Sequence, residues 1–172
     1  MKYGIISDTH ITLNSNNEMV ASLIKELKIT FSNVDIIIHA GDVSEQIFLE
    51  ELEKIAPVSC VRGNADYFGD LKQFIKIQAD SYNIGVIHIL PENLEEFSKE
   101  HNLQILIFGH THIPLIKGTE FDLLLLNPGS PTKPKPPPQK PGFHKPVARP
   151  TVMTLNFDKD DIMSTYIVSL KF

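Results

Sequence analysis

The feature that most constrains the fold is a series of short segments in which nearly every residue is apolar. Residues 1–7, 34–39 and 57–61 are three of these, and the first two precede stretches with apolar side chains at helical spacing, residues 18–31 and 44–55. Largely apolar runs of this length are typical of strands buried on both faces of a sheet that helices cover. The alternation predicts an α/β fold with a parallel or mixed sheet.

The second half of the chain is richer in predicted strands, which fall at residues 71–78, 83–90, 104–108, 123–126, 151–157 and 162–170. A helix is predicted from Pro91 to about His101, and Ser44 is the predicted N-cap of the helix before it. Nine of the twelve prolines lie between Pro128 and Pro150, a density that excludes helices and central strands. We therefore expect one domain over residues 1–172, with a proline-rich surface loop at about 131–150.

Composition limits the functions and the location that we expect. The net charge of −5 and the presence of only two arginines, Arg62 and Arg149, argue against strong nucleic-acid binding. No apolar run approaches the roughly 20 residues that cross a bilayer, so no membrane association is expected. Cys60 is the single cysteine, and the first strand reaches Asp8 before a signal-peptide core can form. A cytoplasmic location follows as the expectation.

Polar side chains that can act as metal ligands lie at the ends of five of the predicted strands. They are Asp8, His10, Asp42, Asn64, His88, His110 and His112. Carboxylate, imidazole and amide groups together suit divalent ions such as manganese, zinc, iron or magnesium. A single ion needs only three or four protein ligands, so seven candidates predict a site for two ions. Any one of these histidines, taken alone, is more often a hydrogen-bonded core or surface residue, and the hypothesis rests on the ordered set.

Glycines and residue spacing strengthen the metal hypothesis. In Asp8-Thr9-His10 and His110-Thr111-His112 the outer side chains are two residues apart, so an extended backbone points both toward one face. Gly41, Gly63 and Gly109 each precede a candidate ligand, where the missing side chain permits a sharp turn.

The ordered set Asp8-Thr9-His10, Gly41-Asp42, Gly63-Asn64, His88 and Gly109-His110-Thr111-His112 resembles the signature of the calcineurin-like metallophosphoesterase superfamily. Asn127-Pro128-Gly129-Ser130 resembles its small, single-domain phosphodiesterase branch. The resemblance implies a four-layer αββα sandwich in which helices flank two mixed β-sheets. It implies one ion on Asp8, His10, Asp42 and His112, and a second on Asp42, Asn64, His88 and His110. Asp42 would bridge the two ions with one oxygen on each, and Asp8, Asp42, Asn64 and His110 would take part in catalysis.

The sequence departs from the family pattern at two places. The branch commonly has Thr-His-Gly-His where this chain has Ile87-His88-Ile89-Leu90, so a second, phosphate-binding histidine is absent. Many superfamily phosphatases also have a histidine after the asparagine, where this chain has Ala65. Alanine has no proton to give to a leaving group, so esters with good leaving groups are the favoured substrates.

The resemblance implies hydrolysis of phosphodiesters by a hydroxide that bridges two divalent ions. Manganese is the expected metal, with zinc, iron, nickel and magnesium as alternatives. The expected partners are a small phosphoester substrate and, as a further option, a second copy of the chain. Two other functions remain open: a non-catalytic scaffold like the retromer subunit of this fold, and a phosphomonoesterase.

Overall fold

The computed structural model describes residues 1–160 and 162–172, which form ten strands and three helices. In chain order these are β1 (Lys2–Ile6), α1 (Asn17–Thr30), β2 (Ile36–His39), α2 (Gln46–Glu53), β3 (Val58–Cys60), β4 (Phe74–Ala79), β5 (Tyr82–Ile87), α3 (Leu94–Glu100), β6 (Ile105–Ile107), β7 (Leu115–Gly118), β8 (Leu124–Asn127), β9 (Thr151–Phe157) and β10 (Met163–Ser169). None of these helices is long and apolar enough to span a membrane.

The strands form two mixed sheets of five strands each. The first sheet has the order β10-β9-β1-β2-β3, with β1, β2 and β3 parallel and the other pairs antiparallel. The second has the order β4-β5-β6-β8-β7, with β5, β6 and β8 parallel. All of these parallel strands except the edge strand β3 lie inside their sheets, where burial on both faces requires the apolar runs seen in the sequence.

Alternating side chains along the strands build three apolar layers. Ile5 of β1 packs between the two sheets with Ile105 and Ile107 of β6, whereas Ile6 points to the layer beneath α1 and α2. On the far side, Leu106 packs with α3. The order helices, sheet, sheet, helix confirms the expected αββα sandwich.

Several element boundaries differ from those predicted. Helix α2 begins after Glu45, because Ser44 has a left-handed backbone (φ 80°) and its amide donates to Asp66 instead of being part of a cap. Helix α3 begins at Leu94, where the Asn93 side chain accepts from the Glu96 amide, so the predicted start at Pro91 was wrong. Strand β7 was not predicted, since it is short and largely exposed.

The proline-rich segment, residues 131–150, contains no helix or strand. Its first residues are held against the rest of the protein: the Lys133 carbonyl accepts from His112 Nδ1 at 2.7 Å, and the Lys135 amide donates to the His112 carbonyl at 3.0 Å. Most side chains after Lys135 are exposed.

Candidate metal centre

The ends of five parallel strands bring all seven predicted side chains to one edge of the sandwich. Loops after β1, β2 and β3 carry Asp8, His10, Asp42 and Asn64, and loops after β5 and β6 carry His88, His110 and His112. Hydrogen bonds tie these loops together, both within the first sheet and between the two sheets. The Asp8 amide donates to the Gly41 carbonyl at 3.0 Å, and the His110 amide donates to both Asp8 carboxylate oxygens at 3.0 and 3.1 Å.

Asp8, His10 and His112 form the first of two groups with metal-binding geometry, with candidate ligand atoms all within 4.8 Å of one another. His112 Nε2 lies 3.4 Å from Asp8 Oδ1 and 3.4 Å from His10 Nε2, and the two imidazoles are stacked. Asp8 is fully buried, while both histidines are partly exposed. Solvent can therefore reach this group from the side of the imidazoles but not from the side of the carboxylate.

Asp8, Asp42 and His88 form the second group. Asn64 extends it, because its Oδ1 lies 3.1 Å from His88 Nε2 and 3.1 Å from His110 Nδ1. An amide oxygen between two imidazole nitrogens can accept from a ring N–H or share a cation with the rings.

Asp42 connects the two groups through a single oxygen. Its Oδ2 lies 3.5 Å from His10 Nε2 and 3.4 Å from His88 Nε2, so it faces both sets of donors. Its Oδ1 accepts from the Ala65 amide at 2.7 Å. The expected bridge with one oxygen on each side differs from this arrangement, in which one oxygen faces both groups and the other holds the Ala65 backbone.

Two of the histidines are oriented by backbone carbonyls. His88 Nδ1 lies 2.7 Å from the Ala40 carbonyl, and His112 Nδ1 lies 2.7 Å from the Lys133 carbonyl. Because a carbonyl oxygen only accepts, each Nδ1 carries the hydrogen, and a neutral ring then presents a lone pair on Nε2. Those lone pairs face carboxylate oxygens, which repel them unless a proton or a metal cation lies between. The donor set therefore fits divalent metal ions, and such carbonyl-held imidazoles are usual in metal sites.

The pKa shifts reflect a buried site that attracts positive charge. Burial would raise the pKa of Asp42, but hydrogen bonds from His88 and the Ala65 amide outweigh burial and lower it to about 2. Burial raises the pKa of Asp8 and lowers the pKa of His10. Burial also opposes charge on His88, yet hydrogen bonds to Asp42 and the Ala40 carbonyl raise its pKa overall. Without a metal, a proton between the His88 imidazole and the Asp42 carboxylate is therefore favoured.

The backbone at the site is strained in a consistent way. Five of the seven residues have a left-handed conformation, with φ between 45° and 65°: Asp8, His10, Asp42, His110 and His112. For residues with a side chain such a conformation costs about 1 to 3 kcal/mol each, and it persists where the surrounding structure imposes it. Two of the predicted glycines are required for packing here. A Cβ on Gly63 would collide with Asp42, and one on Gly109 would collide with Ser7.

Asp66 is the supporting residue that the sequence did not identify. Aspartate is common in turns, so the residue type alone gives no sign of this role, but the side chain is buried and accepts three backbone hydrogen bonds. Its Oδ2 accepts from the Asp42 and Gly63 amides at 2.9 and 2.8 Å, and its Oδ1 accepts from the Ser44 amide at 2.8 Å. One carboxylate thereby fixes the loops that carry Asp42 and Asn64. Its place two residues after Asn64 was the only available signal.

The Asn127-Pro128-Gly129-Ser130 corner supports the site from the other side. Asn127 Nδ2 donates to the Gly109 carbonyl at 2.8 Å, and Ser130 Oγ donates to the Asp8 carbonyl at 2.7 Å. The corner therefore links the loop of the second sheet that carries His110 to the loop of the first sheet that carries Asp8.

Comparison with known proteins assigns this arrangement to a family. A family model for the calcineurin-like phosphoesterase superfamily domain matches residues 1–157. The chain belongs to the calcineurin-like phosphoesterase superfamily. A probable metallophosphoesterase of Methanocaldococcus jannaschii is 41% identical over 144 residues, which cover 80% of this chain and 71% of that protein. One of Methanothermobacter thermautotrophicus is 35% identical over 170 residues, covering 94% and 89%. Members of this superfamily use divalent metals, and the two groups at the strand ends are the candidate residues.

Solved structures of this superfamily fold agree with the architecture. A predicted phosphoesterase from Streptococcus pneumoniae aligns over 98% of this chain and 88% of its own, with a TM-score of 0.72 and 19% identity. Vps29 from Entamoeba histolytica complexed with zinc aligns over 98% and 99%, with a TM-score of 0.71 and 23% identity. A novel archaeal phosphodiesterase aligns over 98% of this chain and 100% of its own, with a TM-score of 0.67 and 23% identity. At these identities the likeness establishes the fold alone.

Proposed function

We propose that this metallophosphoesterase hydrolyses phosphodiesters at a centre of two divalent metal ions. Asp8, His10, Asp42 and His112 would hold one ion, and Asp42, Asn64, His88 and His110 the other. The observation that carries the proposal is Asp42 Oδ2, one carboxylate oxygen within 3.5 Å of imidazole nitrogens of both groups. A mononuclear site has no need of donors on both sides of that oxygen.

The burial of the proposed ligands sets the direction from which a substrate can approach. Asp8 and Asp42 are buried beneath the site, whereas Asn64 and His110 are exposed. Asn64 and His110 therefore lie on the open side, where they can contact a phosphoryl group directly. Bound divalent ions would activate water and offset the charge that develops in an in-line displacement at phosphorus.

Electrostatics favours an anionic ester despite the acidic chain. Two divalent ions carry four positive charges, of which Asp8 and Asp42 offset two. The remaining positive charge is local, while the net charge of −5 is spread over the whole protein. A phosphodiester, with one negative charge, can therefore be drawn to the site by short-range attraction.

The residue after Asn64 bears on the type of ester. Ala65 supplies only its amide, which is already donated to Asp42 Oδ1. No side chain at that position can protonate a leaving group, so we expect the fastest hydrolysis for diesters with acidic leaving alcohols. We propose manganese as the metal to test first. We also propose a cytoplasmic location and a second copy of the chain as a partner.

A non-catalytic scaffold is the second candidate, because this chain has the fold of Vps29. Vps29 has itself been solved in complex with zinc, so metal binding alone does not separate the two roles. Turnover does.

The test uses protein freed of metal by a chelator and then supplied with manganese, zinc, iron(II), nickel or magnesium. Bis(p-nitrophenyl) phosphate and p-nitrophenyl phosphate share one leaving group and differ in being a diester and a monoester. We expect two manganese ions per chain and faster turnover of the diester. Bound metal without turnover of either ester would support the scaffold, and a faster monoester would make the protein a phosphomonoesterase.

A further inference from the structure

A cavity of about 270 Å³ opens directly beside the proposed metal ligands Asn64 and His88. Its other walls are formed by Arg62, Gln73, Ile87 and Ile89, none of which belongs to the metal-ligand set. The volume is slightly below the range of about 300 to 1,000 Å³ for small-molecule sites, which suits a single substituent of a substrate better than a polymer.

The backbone on both sides of the cavity is fixed. Val61 and Lys72 form a parallel bridge, and the Arg62 amide donates to the Lys72 carbonyl at 2.8 Å, which places Arg62 opposite Gln73. Ile87 is the last residue of β5, and Ile89, two residues beyond it, also lines the cavity. The cavity is therefore a built feature of the two sheets.

Arg62 is a cation with spare hydrogen-bonding capacity. Its guanidinium donates to the Gly69 carbonyl at 3.0 Å, and it forms no ion pair with any carboxylate among residues 1–160 and 162–172. None of the described residues that line the cavity is acidic. A guanidinium offers a flat face for stacking on aromatic rings as well as N–H donors at its edge.

The opposite wall is apolar. Ile89 is 48% exposed, although a large aliphatic side chain gains free energy when it is covered. The side-chain amide of Gln73, for which no hydrogen bond is found in the described part of the chain, adds one neutral polar group. A flat ring between an isoleucine and a guanidinium matches these walls better than a second phosphate, which would call for several cationic or amide donors.

We propose that this cavity is a subsite for an aromatic substituent of the phosphodiester, held between Ile89 and the guanidinium of Arg62. The proposal rests on the proposed phosphodiesterase activity and names the substrate class within it: diesters in which the retained alcohol carries a planar ring. Arg62 and Ile89 are specificity residues here, because they contact the substituent and not the reacting phosphorus.

The test compares methyl, cyclohexyl and phenyl p-nitrophenyl phosphates, which share one leaving group and differ only in the retained substituent. In the wild-type protein with manganese we expect kcat/KM to rise from methyl to cyclohexyl to phenyl, with phenyl about tenfold above methyl. Most of the gain should be in KM, since contacts to a remote substituent are the same in the ground and transition states.

Two variants separate the two walls. Ile89→Ser should reduce the preference for both rings over methyl by severalfold, whereas Arg62→Met should mainly remove the preference for phenyl over cyclohexyl. Ile47→Ser and Arg149→Met are matched controls at exposed positions outside the cavity, and the wild-type preferences should persist in both.

The outcomes are distinguishable. Absence of p-nitrophenolate release from every diester would refute the proposed function itself. Release from all three at equal kcat/KM, or preferences that survive both cavity variants in folded protein, would overturn the subsite and leave the phosphodiesterase activity standing. Circular dichroism establishes that each variant is folded.

Discussion

Replacing Asp42 by asparagine removes one charge while nearly keeping the shape of the side chain. In the wild-type protein Oδ1 accepts from the Ala65 amide and Oδ2 faces His10 and His88. An asparagine that keeps the Ala65 hydrogen bond must turn its NH₂ group toward the two imidazoles. That group can donate to their nitrogens, but it cannot bind a metal ion. We therefore expect this one substitution to weaken the binding of both proposed ions.

The effect of Asp42→Asn on the metal-free fold follows from the lowered pKa of Asp42. A drop from 3.8 to about 2 means that the ionised form stabilises the folded state. At about 1.36 kcal/mol per unit of pKa, this contributes roughly 2 kcal/mol at pH 7. The contribution is complete above the unfolded pKa of about 4 and is lost as the pH falls toward 2. Domains of this kind have about 5 to 15 kcal/mol of stability, so the variant should remain folded.

Three measurements test these expectations for Asp42→Asn. Urea unfolding with a chelator should show a loss of about 2 kcal/mol at pH 7 and a smaller loss at pH 3. Metal analysis after dialysis should find fewer than one manganese per chain, and bis(p-nitrophenyl) phosphate hydrolysis should fall by orders of magnitude. Asp70→Asn, at an exposed position, is the matched control. A folded Asp42→Asn protein that binds two ions and cleaves the diester at a near-normal rate would refute the dinuclear mechanism.

Three further predictions concern the ligands and their supports. His88→Ala should lower the metal affinity of the site with Asn64 and His110 more than that of the other site, so a metal titration should show two separate affinities. His101→Ala, which changes a histidine packed on Phe74 and Phe97, is its control, and unchanged stoichiometry and activity in His88→Ala would remove that residue from the site. Asp66→Asn should destabilise the metal-free protein by about 2 kcal/mol in urea unfolding, because an NH₂ group must face at least one backbone amide; wild-type stability would contradict this role. In hydrogen exchange, the amides of Lys133 and Lys135 should be protected, and those of residues 139–147 should exchange quickly; uniform protection across the segment would contradict a loosely held loop.

The sequence was sufficient for the parts of this protein that depend on local pattern. Apolar runs located nearly every strand, because strands buried on both faces leave a strong signal. The seven candidate donors could be named from the sequence because potential metal ligands are restricted to a few residue types, each placed here after a strand. The fold class came with the family resemblance, and the two sheets confirm it.

Features that depend on tertiary contacts could not be predicted from the sequence. Asp66 has the same local sequence context as an ordinary turn aspartate, and only the folded loops show that three amides converge on it. Similarly, one oxygen of Asp42 accepts a hydrogen bond from the Ala65 amide, and the spacing of residues in the sequence does not predict this contact. The proline-rich segment was predicted as a surface loop, but its attachment to His112 through Lys133 arises from a contact 21 residues apart in the chain.

The proposed ions would join the two sheets, and this leads to a last prediction. Each ligand set combines a carboxylate from the first sheet with at least one histidine from the second. The apolar layer between the sheets, built around residues such as Ile5 and Ile107, does not involve these ligands, so the metal-free protein should fold. Manganese at 100 times its dissociation constant adds about 2.7 kcal/mol per site, which corresponds to a rise in Tm of roughly 5 °C or more. Thermal unfolding with manganese and with a chelator measures this rise, which should be largely absent in Asp42→Asn. An equal Tm in the two conditions for the wild-type protein would show that no metal links the sheets.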